Sequence, residues 1–515
     1  MTASDCTPLL YPSITPCYVY YPAHSSSSSS SPPNAHIFNL IYCFIPPKVL
    51  VIENRGSKQI YTMGRHRIAM VSDFFFPGFG GVEVHIYNVA LCLMRRGHKV
   101  IIITRAYGDR VGIRYYTNGL KVYYLPMLAA KLPPGSVTLP TWLGAFPLLR
   151  TIFIREDINV VHGHQTTSNL CHEAMFHAGT MSIKTCFTDH SLFGFADAAS
   201  ININKVLVWS LRTVDQVICV SNTSRENTVL RARIAPQRAS VIPNATDTSV
   251  FTPPDDLKYK SWASKIDKEG LTIVVITRLV YRKGADLFVD VIPEICRRHP
   301  EIKWVIGGDG PRRSQLEQMI ERHSLMDRVK MLGALKHSDV KSVLNQGQIF
   351  LNCSLTEAFC IALIEAASCG LLCVSTKVGG VPEVLPPPML LLADADPSSI
   401  VDALEKAITD VPYHSPWTLH DNCKEFYSWD WVAERTERVY DRIMEMPLLS
   451  LYERLMNYAS VGPLFGLVCW ILCSLDWILY MLMEYWIPRE TIDIAPDFPM
   501  SSYLRNKEKI MKNSG

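Results

Sequence analysis

The 515-residue chain has no surplus of either charge: 51 Lys+Arg stand against 48 Asp+Glu, a formal net charge of +3. These charges are spread along the chain, without the concentrated basic footprint that a nucleic-acid backbone demands, so nucleic acid is not an expected partner. The 15 cysteines lack the short paired spacing of a zinc site and do not form a dense disulfide framework. Cys92, Cys219 and Cys353 lie in apolar segments, which points to reduced thiols and a cytosolic setting. The acceptor patterns at Asn222, Asn244 and Asn352 flank predicted strands, where a glycan would obstruct packing. His36 to Ile52 is apolar, but it lacks a basic start and a small-residue cleavage site and is divided by Pro46-Pro47, so it reads as neither signal peptide nor span, with a weak membrane contact left open.

With 48% hydrophobic and 19% charged residues over this length, the chain can bury two cores. Residues 1–65, with the unbroken run Ser25 to Ser31, show no sustained period and are expected to form a disordered, low-complexity extension. From Arg67 strands and helices alternate: RIAMVSDF, the helix GVEVHIYNVALCLMRRG, HKVIIIT, INVVHGH, KTCFTDH, DQVICVS and ASVIPNA. Alternation of this kind implies a parallel sheet, and 66–252 is read as a first Rossmann-like lobe. A polar, irregular stretch at 253–270 reads as a linker. The second series, LTIVVITR, a helix from Ala285 to Arg298, IKWVIGGDG, VKMLGA, QIFLNC and LLCVST, makes 271–446 a second lobe closed by a surface helix at Ala433 to Met446. The fold class is therefore α/β, two Rossmann-like lobes facing one cleft. Leu464 to Met483 holds one charge, Asp476, with Trp470, Trp477, Tyr485 and Trp486 in and beyond it; 464–486 is long enough for a transmembrane helix, followed by a tail at 487–515.

The strongest chemical signal lies between Ser354 and Leu385, SLTEAFCIALIEAASCGLLCVSTKVGGVPEVL. A short helix sits between two buried strands, with Glu357 before its first turn and Glu365 within it. Free N–H groups at its start suit a phosphate. Pro77-Gly78-Phe79-Gly80-Gly81 forms a similar strand-to-helix turn in the first lobe, where small residues let the backbone approach a ligand closely. Arg278 and Lys283 follow the strand LTIVVITR at its carboxyl end, where open α/β sheets bind ligands, and two cations there would stabilise a departing diphosphate without a metal. Gly307 to Pro311 makes another tight strand-end turn. His190 follows a strand in FTDHSLFGF, and His162 and His164 alternate along another, with packing preferred for one of the latter two.

Together these residues resemble the retaining nucleotide-sugar glycosyltransferases of family 4, which have the GT-B fold, over about Arg67 to Tyr440. The resemblance implies that Glu357 contacts donor sugar hydroxyls, Glu365 holds the nucleotide ribose, Arg278 and Lys283 bind the diphosphate, and the Gly80-Gly81 loop closes over it. It places His190 near the sugar and makes His190, Arg278, Lys283 and Glu357 the catalytic set. Ala358, Phe359 and Cys360 join the donor site, and His164 is a candidate on the acceptor side. Many family members have Glu-Gly-Phe-Gly where this chain has Glu357-Ala358-Phe359-Cys360, a change expected to narrow the pocket slightly. The wording of SLTEAFCIALIEAASCG, TRLVYRKG, FTDHSLFGFAD and TKVGGVPEVLP is most similar to members that move N-acetylglucosamine from UDP-GlcNAc to phosphatidylinositol, the first step of GPI anchor synthesis.

That resemblance implies an endoplasmic reticulum membrane protein with cytosolic lobes, a single pass and a lumenal tail. It also implies a complex with other subunits, no cofactor and no metal. No side chain presents itself as a covalent nucleophile, and same-face attack assisted by the leaving phosphate is expected. Two other readings remain: another lipid-directed transferase, such as a mannosyltransferase, and a non-catalytic membrane scaffold. An oxidoreductase is disfavoured because neither lobe has the complete dinucleotide fingerprint. Leu139 to Ile154 is a candidate interfacial patch, with core packing the preferred account.

Overall fold

The computed structural model describes residues 49–54, 57–62 and 65–498, apart from 79, 117, 133–134, 195–196 and 259. The serine run and the residues beyond 498 lie outside the described residues. Within the stretch read as structureless, Val49–Asn54 and Ser57–Thr62 pair as an antiparallel hairpin. Val49, Val51, Ile52, Ile60 and Thr62 supply β-branched residues that favour the extended backbone of this pairing.

The first sheet is built from β1 (Arg67–Val71), β2 (Lys99–Arg105), β3 (Gly112–Tyr115), β4 (Lys121–Leu125), β5 (Val160–His164), β6 (Lys184–Asp189), β7 (Gln216–Cys219) and β8 (Ala239–Val241), in the order β8-β7-β6-β5-β1-β2-β4-β3. All its pairings are parallel except that of the edge strand β3 with β4. The central strands are buried on both faces; Ile68, Ala69, Met70 and Val71 are fully covered. Their apolar runs are therefore continuous rather than alternating. Helices α1 (Gly81–Arg95), α2 (Phe146–Arg155) and α3 (Asn169–Thr180) cover this sheet. Phe146, Leu149, Ile152 and Phe153 of α2 face inward, so the inner face of the candidate interfacial patch is core, while Leu139, Trp142 and Leu148 of the same stretch stay exposed.

The second sheet contains β9 (Thr272–Ile276), β10 (Lys303–Gly307), β11 (Val329–Gly333), β12 (Ile349–Asn352), β13 (Leu372–Thr376) and β14 (Leu390–Ala393), all parallel, in the order β11-β10-β9-β12-β13-β14. Helix α4 (Ala285–Arg298) buries Phe288, Val291, Ile292 and Ile295 against it, and the short α5 (Ile361–Ser368) joins β12 to β13. The stretch read as a linker carries more structure than expected. It includes a helix at Ala263–Glu269, and Trp262, fully buried, donates its Nε1–H to the Gly370 carbonyl at 2.7 Å. A large buried indole outweighs the polar composition around it.

Helix α6 (Trp429–Glu445) begins four residues before the expected start and returns to the first lobe. Its inner stripe of Val432, Ala433, Val439, Tyr440 and Ile443 is buried, and His66 and His162 reach Asp441 and the Tyr440 hydroxyl at 2.7 and 2.6 Å. Two further helices follow, α7 (Leu451–Ala459) and α8 (Pro463–Trp486). The 24 residues of α8 have a mean hydropathy of 1.9 over their apolar window, making it long and apolar enough to cross a membrane.

Gly284, which precedes α4, adopts φ +69°, and a Cβ there would lie 1.8 Å from the Cys353 carbonyl oxygen. Only glycine lets the loops after β9 and β12 meet. Gly284→Ala is expected to destabilise the chain by about 3 kcal/mol, combining a steric clash with a left-handed backbone. Thermal unfolding of the purified protein checks this, and an unchanged Tm would contradict it.

Candidate functional site

In each sheet the site residues lie on loops at the carboxyl ends of strands, where helix N-termini and free backbone groups converge. In the second lobe, the loop after β9 carries Arg278 and Lys283, and the loop after β12 carries Ser354, Glu357 and Cys360. Lys283 Nζ donates to Glu357 Oε1, and the Ser354 hydroxyl donates to the same oxygen at 2.9 Å. The Gly380 N–H bonds the Glu357 carbonyl at 3.0 Å, fixing the backbone as well. Lys283 and Glu357, expected to face separate parts of the donor, therefore meet each other here. Their pair is partly shielded, with side chains 26% and 12% exposed. Arg278 is exposed and has no ion-pair partner within 4 Å among the described residues.

Cys360 caps the N-terminus of α5 at φ +70°. This is the position where many family 4 members have glycine, so the change affects the backbone as well as pocket width; a left-handed non-glycine residue costs about 1 kcal/mol. The Cys360 thiol senses the charges of Glu357, Lys283 and Glu365, so all three groups converge on this helix end. Burial pushes the Glu365 carboxyl up to about 7. No hydrogen bond to its side chain is made among the described residues, leaving an acceptor in the cleft wall that lacks a donor. Ala358 and Phe359 are buried. Phe359 packs on Tyr427 with ring centroids 5.9 Å apart, which leaves its backbone, not its ring, for ligand contact.

In the first lobe Gly80 caps α1, and Gly81 is its first residue. The carboxylate of Glu83, one turn on, folds back over the glycines; a Cβ at Gly80 would lie 2.6 Å from it. Glu83 thus occupies the helix end expected to receive phosphate. Burial raises its pKa, against the pull of Arg278 across the cleft. Phe79 lies outside the described residues.

Deeper in the same lobe four histidines gather. His162 bonds Tyr440 and Thr188 at 2.6 and 2.7 Å, which makes it the packing member of its pair. His164 Nδ1 lies 3.4 Å from His190 Nε2, and His85 stacks edge-on against His190 at 4.6 Å. Burial lowers the pKa of His85 to about 4, against its hydrogen bond to Asn244, and burial reinforced by the neighbouring imidazoles holds His164 and His190 well below the usual histidine range. All three are neutral at physiological pH, so His190 offers a hydrogen bond rather than a charge. One nitrogen from each of His85, His164 and His190 falls within 4.8 Å of the others, a grouping able to hold a metal ion. The existing bonds from His164 to His190 and from His85 to Asn244 at 2.8 Å already use three of its ring nitrogens.

The lobes touch around these groups. The Ser221 hydroxyl donates to the Ala358 carbonyl at 2.7 Å, and Glu383 accepts the backbone N–H groups of Asn222 and Thr223 at 2.7 and 2.9 Å. A Cβ at Gly81 would lie 3.3 Å from the Ile361 side chain, and Leu192, two residues past His190, lies against Gly379. Sequence reasoning missed Glu83, His85 and Asn244. The acid in the first turn of a glycine-led helix was the available signal for Glu83; His85 and Asn244 are 159 residues apart and announced nothing.

Two family models match the chain: PIGA (GPI anchor biosynthesis) over residues 105–197, and glycosyl transferases group 1 over residues 258–422. A phosphatidylinositol N-acetylglucosaminyltransferase subunit from Arabidopsis thaliana is 55% identical over 84% of this chain and 94% of its own length. The gpi3 subunit of the same transferase from Schizosaccharomyces pombe is 50% identical over 85% and 94%. Among solved structures, sucrose-phosphate synthase from Thermosynechococcus elongatus superposes with a TM-score of 0.59 at 17% identity, covering 74% of this chain and 99% of that one. Anabaena HepE in complex with UDP gives 0.56 at 16% identity, covering 73% and 99%. These structures share the GT-B fold. The chain is a glycosyltransferase of GT-B fold and belongs to the PIGA family of phosphatidylinositol N-acetylglucosaminyltransferase subunits, which acts in GPI anchor synthesis.

Proposed function

We propose that the chain transfers N-acetylglucosamine from UDP-GlcNAc to an inositol hydroxyl of phosphatidylinositol, with the α configuration retained and UDP released. It does so at the endoplasmic reticulum membrane, with its lobes on the cytosolic side and other subunits beside it. The observation that carries this reading is the convergence of Lys283, Glu357 and Glu365 on the N-terminus of α5, facing Arg278 and the Gly80-Gly81 turn. The names of the relatives supply the sugar and the lipid.

As the bond from C1 to the diphosphate oxygen breaks, negative charge grows on the diphosphate. Arg278, Lys283 and the N–H groups of α5 receive it, and no metal is called for. The acceptor oxygen forms its bond to C1 from the same face, and its proton passes to the departing phosphate oxygen. Donor entry separates Lys283 from Glu357: the ammonium turns to the diphosphate and the carboxylate to sugar hydroxyls, so neither charge is left unpaired. Neutral His190 hydrogen-bonds the sugar, and Glu365 accepts from the ribose diol. His164 stands behind His190, on the acceptor side.

A mannosyltransferase would use the same constellation, so the deciding experiment is a donor screen. Membranes carrying the chain are expected to label phosphatidylinositol from UDP-GlcNAc and not from GDP-mannose; labelling from GDP-mannose alone would overturn the reading. Lys283→Ala should lower kcat by roughly 100-fold, as loss of a charge-stabilising donor does, with a small change in KM. Glu365→Ala should weaken UDP-GlcNAc binding by about 2 kcal/mol, the worth of a hydrogen bond to a charged group; normal binding would remove its ribose role.

The ribose needs Glu365 ionised, and burial has raised its pKa to about 7. Donor affinity should therefore fall as pH drops through 7, and binding below that pH should release a proton. For the free protein the sign is opposite: ionising this carboxyl costs stability as pH rises from its ordinary range through 7. Calorimetry in buffers of different ionisation enthalpy checks the proton release, and Glu365→Gln should abolish it.

A further inference from the structure

The acceptor of the proposed reaction carries a phosphodiester, and its oxygen must reach C1 beside a diphosphate that is gaining charge. Two anions brought into one cleft repel unless each has cations of its own. Arg278 and Lys283, both on the second lobe, serve the donor in that reading. The first lobe has to supply the others.

In the loops that run from β1, β2, β4, β5, β6 and β7 to the next helix or strand, the Lys and Arg side chains among the described ones are Arg105, the last residue of β2, and Arg110, five residues on. Both are half-buried. Asp109, the acid between them, is exposed, and neither it nor Arg110 forms an ion pair among the described residues.

The Arg105 guanidinium stacks on the Tyr107 ring, 3.8 Å from its centroid, and its Nη1 donates to the Ala106 carbonyl at 3.1 Å. The Tyr124 hydroxyl, with that of Tyr116 lying 3.2 Å from it, raises the pKa of Arg110. The same tyrosines hold the segment that leads into the glycine turn. Tyr107 donates its hydroxyl to the Asp73 carbonyl and accepts from the Phe75 N–H at 3.2 Å, and Tyr124 donates to the Phe76 carbonyl at 2.9 Å. Both arginines are therefore tied through an aromatic platform to the approach to Gly80 and Gly81. The charges of Arg105 and of Glu83, on the first turn of α1, both act on Tyr107, which puts them at the same end of the sheet.

We propose that Arg105 and Arg110 form an acceptor subsite that receives the phosphodiester of a glycerophospholipid, separate from the cations that hold the donor. A guanidinium held face-on by a ring presents its N–H fork edgewise, and that fork matches two phosphate oxygens. Val111 and Ile113, which follow Arg110 into β3, are each 49% exposed, which suits the glycerol and acyl part of a lipid rather than a water-soluble phosphate. The segment matched by the GPI anchor biosynthesis model, 105–197, contains both arginines. The subsite rests on the lipid acceptor of the proposed function and not on its sugar.

The test keeps the two apart. Solubilised complex containing the full chain is titrated, with UDP present, against glycerophosphoinositol, myo-inositol and inorganic phosphate. Glycerophosphoinositol is expected to bind about tenfold or more tighter than myo-inositol, as hydrogen bonds to a charged group provide, and tighter than inorganic phosphate. Arg110→Lys, Arg110→Ala and Arg110→Glu should weaken it in that order, and Arg105→Ala should weaken it as Arg110→Ala does, with UDP affinity and Tm unchanged. The KM for phosphatidylinositol in the transfer assay should rise in the same order, a ranking by charge that a merely structural role would not produce. Equal binding of glycerophosphoinositol and myo-inositol, or unchanged phosphodiester affinity in the variants, would overturn the subsite even where transfer from UDP-GlcNAc proceeds. Inorganic phosphate binding as tightly as glycerophosphoinositol, or variants that lose UDP instead, would overturn the lipid assignment. Charge-ordered phosphodiester binding without transfer from UDP-GlcNAc would leave the subsite standing and refute the proposed sugar.

Discussion

Lys283 and Glu357 lie 74 residues apart in the chain, on loops after different strands, and their ion pair closes the carboxyl end of the second sheet. The rest of the site depends on that closure. It needs Gly284, because any side chain there would strike the Cys353 carbonyl, and it needs Ser354, whose hydroxyl holds the shared carboxylate oxygen. Removing either charge leaves the other half-buried without its counter-ion, which costs more than an exposed pair would contribute. On the proposed function, an incoming diphosphate would replace Glu357 beside Lys283 and the sugar would replace Lys283 beside Glu357, so the pair would hold both groups in place until the donor binds.

The first lobe supplies a matching arrangement. Glu83 sits over the glycines at the start of α1, under the field of Arg278, and so fills the helix end that an anion would otherwise occupy. Ser221 and Glu383 fasten the lobes at the rim of the cleft. Behind them the neutral histidines form a low-dielectric wall, in which hydrogen bonds to a substrate are worth more than in water. Glu365, whose pKa burial raises to about 7, lies in a similar setting.

Much of this was legible in the sequence. Alternating apolar strands and amphipathic helices gave both sheets, because parallel strands buried on both faces leave an unmistakable pattern. Glycine-bearing turns, the Arg278–Lys283 spacing and the Glu357–Glu365 helix were also readable, since local chemistry fixes them. Long-range convergence was not. His85 lies mid-helix and its partner Asn244 in a distant loop, while Trp262 hid a buried anchor in a polar stretch. Most telling is α8, whose composition gave its apolarity but not its neighbours. Asp476 looked like one tolerated charge in a span, yet its partner His177 lies 299 residues earlier.

The central claim is that one cleft between two sheets cradles a nucleotide diphosphate, and a structure with UDP bound tests it most directly. The account requires the diphosphate between the Gly80-Gly81 turn and Arg278 and Lys283, the ribose hydroxyls on Glu365, and Lys283 drawn away from Glu357. UDP bound elsewhere, or bound with the Lys283–Glu357 pair intact and Glu365 untouched, would contradict it.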